Sequence, residues 1–190
     1  MQASLRLLKK RRFLPLFITQ LLGAFNDNLF KNAMVLFVVY QVYNDERSET
    51  WFSALATGIF IIPFFLLSAL SGQLADQRDK AVIIRWVKAA EIVIMTVGAT
   101  GLALIWSGIA VHILAIPLLL AALFAMGIHS TFFGPIKYAI LPQHLEDGEV
   151  LAGTGLVEAG TYVAILSGMI LSAVFTVDQS TVAVVLIAIV

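Results

Sequence analysis

The chain has 190 residues, of which 60% are hydrophobic and only 13% are charged, and its formal net charge is zero. Soluble domains carry about 25% charged residues, so this composition and a mean hydropathy of +0.95 indicate an integral membrane protein. The zero net charge gives no basis for nucleic-acid binding. The absence of cysteine excludes a disulfide framework, a thiolate metal site and a cysteine nucleophile.

Five full apolar segments and the beginning of a sixth follow one another along the chain. They cover roughly 13–43, 51–75, 82–107, 111–138 and 150–176, and the sixth begins near Ser180. Each full segment exceeds the about 20 residues with which a helix crosses a bilayer. Runs such as 182–190 are continuously apolar and lack the alternation of a barrel strand. The sequence therefore predicts an all-α membrane protein whose chain ends inside the sixth helix, with more chain in the natural protein.

The distribution of Lys and Arg predicts the orientation of these segments. The tail before residue 13 holds Arg6, Lys9, Lys10, Arg11 and Arg12. The connection near 76–81 and its flank are also basic, whereas the connection near 44–50 contains only Arg47. Cytoplasmic loops are enriched in Lys and Arg. We therefore expect a cytoplasmic basic tail at 1–12, followed by a transmembrane half-domain over 13–190.

A polar stretch interrupts the first apolar segment between Gln20 and Lys31. Asp27 lies about 22 Å from Arg12 along a helix, which places it near the membrane midplane. A carboxylate at that depth costs about 2.5–3.5 kcal/mol on insertion scales, so such groups normally face a pathway or a partner. Two interpretations stay open. Asp27, Asn28 and Lys31 line a substrate pathway, or Asp27 and Lys31, four residues apart, form a structural ion pair.

The third and fourth segments contain further polar residues. Lys88 and Glu91 are spaced as a local ion pair, and the alternative is that Glu91 lines a cavity. The Gly134-Pro135 pair is expected to kink or end the fourth helix. Lys137 then lies at interfacial depth, where it binds a phosphate or extends towards lipid headgroups. His129 is expected to be a satisfied intrahelical histidine, and no metal or cofactor is predicted.

The fifth segment combines a carboxylate with a stripe of small residues. Gly153, Gly160 and Ser167 recur every seven residues, which predicts the close approach of another helix. Glu158 lies about 12 Å from Val150 along the helix. As an intramembrane carboxylate it is a candidate for the substrate pathway.

The connection between the second and third segments reads Ser71-Gly-Gln-Leu-Ala-Asp-Gln-Arg-Asp-Lys80. It resembles the Gly-x-Leu-Ala-Asp-Arg-x-Gly-Arg-Arg loop that the major facilitator superfamily has at the same place. Gln77 and Asp79 depart from that pattern. The resemblance implies a conformational latch that joins two halves in the outward-facing state and contains Gly72, Asp76 and Lys80.

Four motifs together resemble the bacterial lysophospholipid transporter branch of the major facilitator superfamily, which includes transporters linked to 2-acylglycerophosphoethanolamine acyltransferase. They span 20–28, 72–76, 134–141 and 155–160. The resemblance implies two six-helix halves, of which this chain is nearly all of the N-terminal one. It also implies secondary transport of a lysophosphatidylethanolamine-like lipid between the leaflets of the bacterial inner membrane for re-acylation.

The same resemblance implies partners and residue roles. The partners are membrane lipid, the C-terminal six-helix half, and an acyltransferase/acyl-carrier-protein synthetase that is fused or separate. Asp27 or Glu158 would pair with the ammonium of the lipid headgroup, and Lys137 with its phosphate. Lys31 is a departure, since the branch does not require a lysine at that position.

Three alternative functions are weighed against this one. A proton-coupled exporter of a drug or metabolite would use Asp27 but would not need the motifs at 134–141 and 155–160. An acyltransferase would need a His-x-x-x-x-Asp motif, whereas Pro117, Gly134 and Glu149 stand five residues after the three histidines. Any enzymatic domain would therefore lie beyond Val190. The third alternative is a free-standing six-helix scaffold.

Overall fold

Five long helices occupy the five predicted apolar segments in the computed structural model, which describes residues 6–43 and 45–177. They are α1 (Leu14–Val38), α2 (Glu46–Gln77), α3 (Lys80–Trp106), α4 (Ile116–Ala139) and α5 (Val150–Val177). Two π-helical turns, Val39–Tyr43 and Val111–Ala115, extend α1 and precede α4. A one-turn helix, Leu141–His144, follows α4. The predicted sixth segment lies outside the described residues.

Four of these helices, α2 to α5, are long and apolar enough to cross a membrane. The fold class predicted from the sequence, an all-α membrane protein, is thus confirmed. Helix α1 is not among the four, because its polar residues lower its hydropathy. At 25 residues it nevertheless extends for about 37 Å.

The outer surface of the bundle is apolar. Phe65 on α2 is 82% exposed and Leu151 on α5 is 86% exposed, and many other large apolar side chains point outwards in the same way. A soluble monomer rarely exposes contiguous apolar patches beyond a few hundred Å². The chain is therefore a multi-pass membrane protein.

The helices pack most extensively in three pairs: α1 with α5, α2 with α4, and α3 with α4. A glycine lets two backbones approach closely in each of the first two pairs. A Cβ built on Gly168 of α5 would lie 2.7 Å from the carbonyl oxygen of Phe25, and one on Gly127 of α4 would collide with the carbonyl oxygen of Phe60. Small residues at such contacts allow the close packing that holds membrane helices together.

The predicted small-residue stripe on α5 is correct for its first members and wrong for its last. Gly153, Gly160 and Ala164 are buried, but Ser167 is exposed and Gly168 takes the next position in the interface. A strict seven-residue repeat drifts by about 20° per heptad from a straight helix. After two heptads the contact has therefore moved to the following residue.

Single side chains and local sequence set the ends of two helices. Asp79 caps α3, because its carboxylate accepts a hydrogen bond of 2.8 Å from the backbone N–H of Ala81. Helix α2 consequently continues through Asp76 to Gln77. Helix α4 runs through the Gly134-Pro135 pair and ends at Ala139, so the pair does not end the helix, and the alternative of a kink stays a prediction. Membrane helices tolerate an internal proline where neighbouring groups satisfy the freed backbone.

Ion pairs join the basic tail to the acidic residues that precede α5. Lys10 contacts the carboxylate of Glu149, and Arg12 lies 2.8 Å from Glu146 and 3.1 Å from Glu149. Leu7 and Phe13 are buried beside them against the connection before α5. The tail and the 139–149 connection thus lie at the same end of the bundle, as the predicted orientation requires.

The close backbone contacts predict which glycines tolerate a methyl group. Gly168→Ala and Gly127→Ala force a Cβ against backbone atoms of the facing helix, and overpacking of this kind costs about 1–3 kcal/mol. Gly155→Ala is the matched control, since a Cβ there meets no atom within 4 Å. Thermal unfolding in mild detergent should show a lower melting temperature for the first two variants only. Equal melting temperatures for all three would contradict the packing of these helix pairs.

The ion pairs of the tail predict that the stability of the fold decreases at acid pH. The hydrogen bond from Lys10, aided by the positive charges of Lys10 and Arg12, holds the pKa of Glu149 below its ordinary value of 4.5. A carboxyl with a depressed folded pKa stabilises the fold above its unfolded pKa and loses that contribution as the pH falls through the folded pKa. Glu149→Gln should therefore lower the melting temperature near neutral pH, and the difference should disappear at acid pH.

Asp147→Asn serves as the control for this titration, because Asp147 is exposed and makes no ion pair within the described residues. Melting temperatures across the carboxyl titration range are the measurement. A loss that is the same at every pH would show that Glu149 contributes through packing and not through its charge.

Candidate functional site

Three groups of polar side chains lie inside the apolar bundle. The Asp27 site consists of Asp27 and Ser130. The Lys137–Glu158 cluster consists of Gln20, Lys137, Tyr138, Glu158 and Thr161. The Lys88–Glu91 cluster consists of Asn26, Lys88, Glu91 and His129.

The Asp27 site lies between α1 and α4. Ser130 Oγ donates a hydrogen bond of 3.1 Å to Asp27 Oδ2. The other carboxylate oxygen, Oδ1, is buried and has no hydrogen-bond partner among the described residues. The structure therefore leaves Asp27 with one unused acceptor atom inside the protein.

The ion pair considered between Asp27 and Lys31 is not formed. Lys31 Nζ lies instead 4.9 Å from the ring centroid of Phe60 on α2. The long lysine side chain reaches the neighbouring helix, where an aromatic face stabilises its charge. It also lines a cavity of about 340 Å³ bordered by α1, α2 and α5.

Asn28 uses its amide group within its own helix. Its Nδ2 donates a hydrogen bond of 2.9 Å to the carbonyl oxygen of Ala24. The Cβ of Asn28 faces Gly168, where it would lie 3.3 Å from an added Cβ. Asn28 thus belongs to the contact between α1 and α5. Its amide nitrogen bonds within α1, and its amide oxygen is not part of that bond.

The Lys137–Glu158 cluster joins α1, α4 and α5. Gln20 Nε2 donates a hydrogen bond of 2.7 Å to Thr161 Oγ1, and Lys137 Nζ lies 3.5 Å from the same oxygen. Tyr138 donates its hydroxyl hydrogen bond to Glu158. Gln20 is only 3% exposed, whereas the other members of the cluster are partly exposed. This network is therefore a partly buried connection between the helices.

Lys137 and Glu158 are near one another without forming an ion pair. Lys137 Nζ lies 4.8 Å from the ring centroid of Tyr138, and the hydroxyl of the same ring binds Glu158. The tyrosine therefore contacts both charged groups and holds each by a different part of its side chain. An ammonium and a carboxylate kept apart in this way can each bind the opposite charge of a zwitterion.

The two interpretations of Lys88 and Glu91, a local ion pair and a cavity wall, both agree with the structure. Lys88 Nζ lies 2.6 Å from Glu91 Oε2, and both residues line a cavity of about 640 Å³ between α1 and α3. Gly23 makes room for the ammonium, since a Cβ built there would lie 2.6 Å from Lys88 Nζ.

The prediction of a satisfied His129 is wrong. Its Nε2 lies 3.6 Å from Glu91 Oε2, and neither ring nitrogen has a hydrogen-bond partner among the described residues. The ring is buried and stacks at 6.1 Å on Phe133, one turn further along α4. Side-chain packing fixes the orientation of this ring, and the ring itself does not bond to its own helix.

The latch residues lie at the end of the bundle where α2 and α3 meet. Gly72 and Asp76 belong to the last turns of α2, and Lys80 is the first residue of α3. Asp76 is exposed, and a Cβ built on Gly72 meets no described atom within 4 Å. The predicted latch is therefore a helix end followed by a short connection.

Sequence reasoning overlooked three residues that complete these sites. Ser130, Tyr138 and Thr161 bind Asp27, Glu158 and Gln20 respectively. A signal was present, because Ser130 lies seven residues before Lys137 and Thr161 lies three residues after Glu158. Residues at these spacings share a helix face.

Comparison with known proteins finds distant relatives among transporters. The chain is 26% identical over 153 residues to the lysophospholipid transporter LplT of Photorhabdus laumondii, an alignment that covers 80% of this chain and 33% of the relative. It is 26% identical over 157 residues to the lysophospholipid transporters LplT of Salmonella newport and Salmonella heidelberg, with 83% of this chain and 34% of each relative covered. The resemblance inferred from the motifs is confirmed at this distance.

The chain spans about a third of the length of the curated relatives it matches. No family model and no solved structure matches it. The relationship therefore rests on sequence similarity to the transporters themselves.

The hydrogen bond from Tyr138 to Glu158 predicts that Tyr138→Phe and Tyr162→Phe differ in their effect on stability. Tyr138→Phe removes the donor from a partly buried carboxylate, and an unsatisfied group of this kind costs about 1–3 kcal/mol. Tyr162→Phe is the matched control, because Tyr162 is 60% exposed. The melting temperature in detergent should be lower for the first variant and unchanged for the second. Equal stability of the two variants would remove Tyr138 from the network.

Proposed function

We propose that the chain is the N-terminal half of a secondary transporter that moves lysophospholipid between the leaflets of the bacterial inner membrane. The observation that carries this proposal is its similarity to proteins named lysophospholipid transporters over about four fifths of the chain. The apolar helices support a multi-pass transporter, and no part of the proposed activity requires an enzymatic group in this chain.

The headgroup chemistry of a lysophosphatidylethanolamine-like lipid matches the charges inside the bundle. Its phosphate would bind Lys137, whose Nζ lies 3.5 Å from Thr161 Oγ1 and over the ring of Tyr138. Its ammonium would bind Glu158 or the unused oxygen of Asp27. Charged groups in a low-dielectric interior favour a ligand that supplies each with a partner.

The other residues proposed for the pathway, Asn28 and Lys31, follow Asp27 along α1. Lys31 lines the cavity bordered by α1, α2 and α5, and Asn28 lies one turn before it on the same helix. A ligand that passes Asp27 would meet these residues next. The single acyl chain would contact the apolar walls of the bundle, which are as apolar as lipid.

Further parts of the proposal concern the whole protein. The exposed Asp76, the open space at Gly72 and the first residue of α3, Lys80, would contact a C-terminal six-helix half during the conformational cycle. An acyltransferase/acyl-carrier-protein synthetase, fused or separate, would re-acylate the lipid on the cytoplasmic side. The tail at 1–12 would lie on that side as well.

Uptake of radiolabelled lysophosphatidylethanolamine by spheroplasts that express the natural full-length protein tests this function. Asp27→Asn and Lys137→Gln should reduce the uptake rate at least about tenfold, since loss of a charged hydrogen bond costs about 1.5–3 kcal/mol. Lys9→Gln and Glu49→Gln are controls that remove exposed charges outside the bundle interior. Expression of each variant is verified by immunoblot.

Two results would separate the alternatives. Normal uptake by the Asp27→Asn and Lys137→Gln variants would keep the substrate and make these residues structural. A folded wild-type protein that moves no lysophospholipid would overturn the proposal in favour of an exporter of another compound.

A further inference from the structure

Lys31, like Lys137, is a cation inside the bundle that has no carboxylate partner. It forms no ion pair within the described residues, and its Nζ lies 4.9 Å from the ring centroid of Phe60. An aromatic face attracts an ammonium but carries no net charge that would neutralise it. The side chain of Lys31 therefore offers its ammonium to an anionic ligand.

The cavity of about 340 Å³ that Lys31 lines has polar side chains from three helices. Asn32 of α1, Ser53 and Thr57 of α2 and Ser172 of α5 all border it. Ser172 lies at its buried end, whereas Thr57 is exposed at the surface of the bundle. The cavity thus combines an ammonium with amide and hydroxyl groups, and charge-assisted hydrogen bonds from such groups are what binds a phosphate.

An apolar groove of about 650 Å³ adjoins this cavity and runs along one face of α2. Ser53 and Thr57 line both spaces. A Cβ built on Gly58 meets no described atom within 4 Å, so the groove is open there. Its remaining walls are apolar: Ala54, Ile61, Ile62 and Phe65. The two spaces together match an amphiphile that has an anionic head and an apolar tail.

Lys31 and Lys137 lie on opposite sides of Asp27. Ser130 bonds to Asp27, and Lys137 lies seven residues further along α4, about 10 Å towards the end of the bundle that holds the basic tail. Lys31 lies four residues after Asp27 on α1, about 6 Å in the other direction. The cavity at Lys31 is therefore separate from the Lys137–Glu158 cluster.

We propose that Lys31 is a second phosphate-binding residue, which recognises lysophospholipid at the end of the bundle opposite to Lys137, with the acyl chain in the groove along α2. The phosphate would bind one ammonium and then the other, with Asp27 between them. Recognition at Lys31 depends on the phosphate and does not require an ammonium in the headgroup. This inference rests on the proposed transport function for the order of these steps, though not for lipid binding itself.

A helix of a C-terminal half is the competing occupant of the groove. Ser53, Ala54, Thr57 and Gly58 are small, and small residues let a second helix approach closely. An apolar helix would cover the groove but would leave the ammonium of Lys31 without an anion. A phospholipid with a single acyl chain fills the groove and supplies the anion, so the charge of Lys31 favours the lipid.

Photo-cross-linking locates the acyl chain. The natural full-length protein, in nanodiscs of diacylphosphatidylcholine, is labelled with a lysophosphatidylethanolamine that carries a diazirine on its acyl chain. Mass spectrometry of the labelled peptides should find the label on α2 between residues 54 and 65. Absence of label from this segment would overturn the acyl-chain site in favour of a covering helix.

Substitution of Lys31 tests the phosphate contact. Lys31→Gln should reduce labelling of the segment 54–65 about tenfold or more at limiting lipid concentration, the loss expected for one charged hydrogen bond. Lys31→Arg should retain the labelling, because a guanidinium also binds phosphate. Lys9→Gln is the control for charge, since Lys9 is exposed in the tail. Labelling of Lys31→Gln as strong as that of the wild type would overturn the inference.

A second pair of variants tests the groove. Gly58→Leu places a side chain in the groove and should reduce the labelling. Gly155→Leu is the matched control, because its Cβ is equally open and lies on α5, outside the groove. Equal labelling of the two variants would contradict the placement of the acyl chain.

Competition by unlabelled compounds identifies what the site recognises. Lysophosphatidylglycerol, which has the phosphate and no ammonium, should displace the label. A monoacylglycerol, which has the chain and no phosphate, should not displace it at the same concentration, and neither should glycerol 3-phosphate, which has no chain. Equal displacement by the monoacylglycerol would overturn the role of Lys31, and displacement by glycerol 3-phosphate would overturn that of the groove.

Transport by the same proteins in proteoliposomes separates this inference from the proposed function. If the wild type is labelled on α2 as expected but moves no lysophospholipid, the proposed function fails and the binding site stands. If the wild type and Lys31→Gln move lysophospholipid equally well and α2 is not labelled, the function stands and the site fails.

Discussion

The fold depends on the cost of placing charged groups inside an apolar bundle. Asp27 lies in the middle of α1, where a carboxylate that faces lipid would cost about 2.5–3.5 kcal/mol. The structure meets this cost by turning Asp27 towards Ser130 of α4 and by packing α5 along α1 through Gly168. The polar middle of α1 is therefore covered by neighbouring helices, and large apolar side chains remain exposed on the outer surface of the bundle.

A second consequence is that opposite charges are distributed over several helices. Lys31 contacts Phe60 and Lys137 contacts Tyr138, so neither ammonium is paired with the carboxylate nearest to it in sequence. The direct ion pair in this region, Lys88 with Glu91, lies on the other side of α1. Charges that are held without full partners are available to a ligand, whereas a fully paired charge stabilises the fold and is unavailable for binding.

The helices and their approximate limits could be predicted because they follow from local properties. Continuous apolar runs set the five segments, and the observed helices cover them with small differences at the ends. The ends were less predictable where a single side chain decides them. Asp79 caps α3 by accepting hydrogen bonds from backbone N–H groups of its first turn, and α4 continues through Pro135.

The sequence by itself determined the membrane class, the number of full segments, the intramembrane charges at Asp27, Lys137 and Glu158, and the distant similarity to lysophospholipid transporters. The first three depend on composition and on spacing along one helix, whereas the similarity depends on the resemblance of four motifs to a known family. Only the tertiary structure decided which polar groups lie together: Ser130 with Asp27, Tyr138 with Glu158, and Glu91 3.6 Å from His129. A hydrogen bond between helices requires two backbones at a definite distance and rotation. That geometry is set by glycine contacts and side-chain packing along the whole interface, and so it cannot be read from one segment.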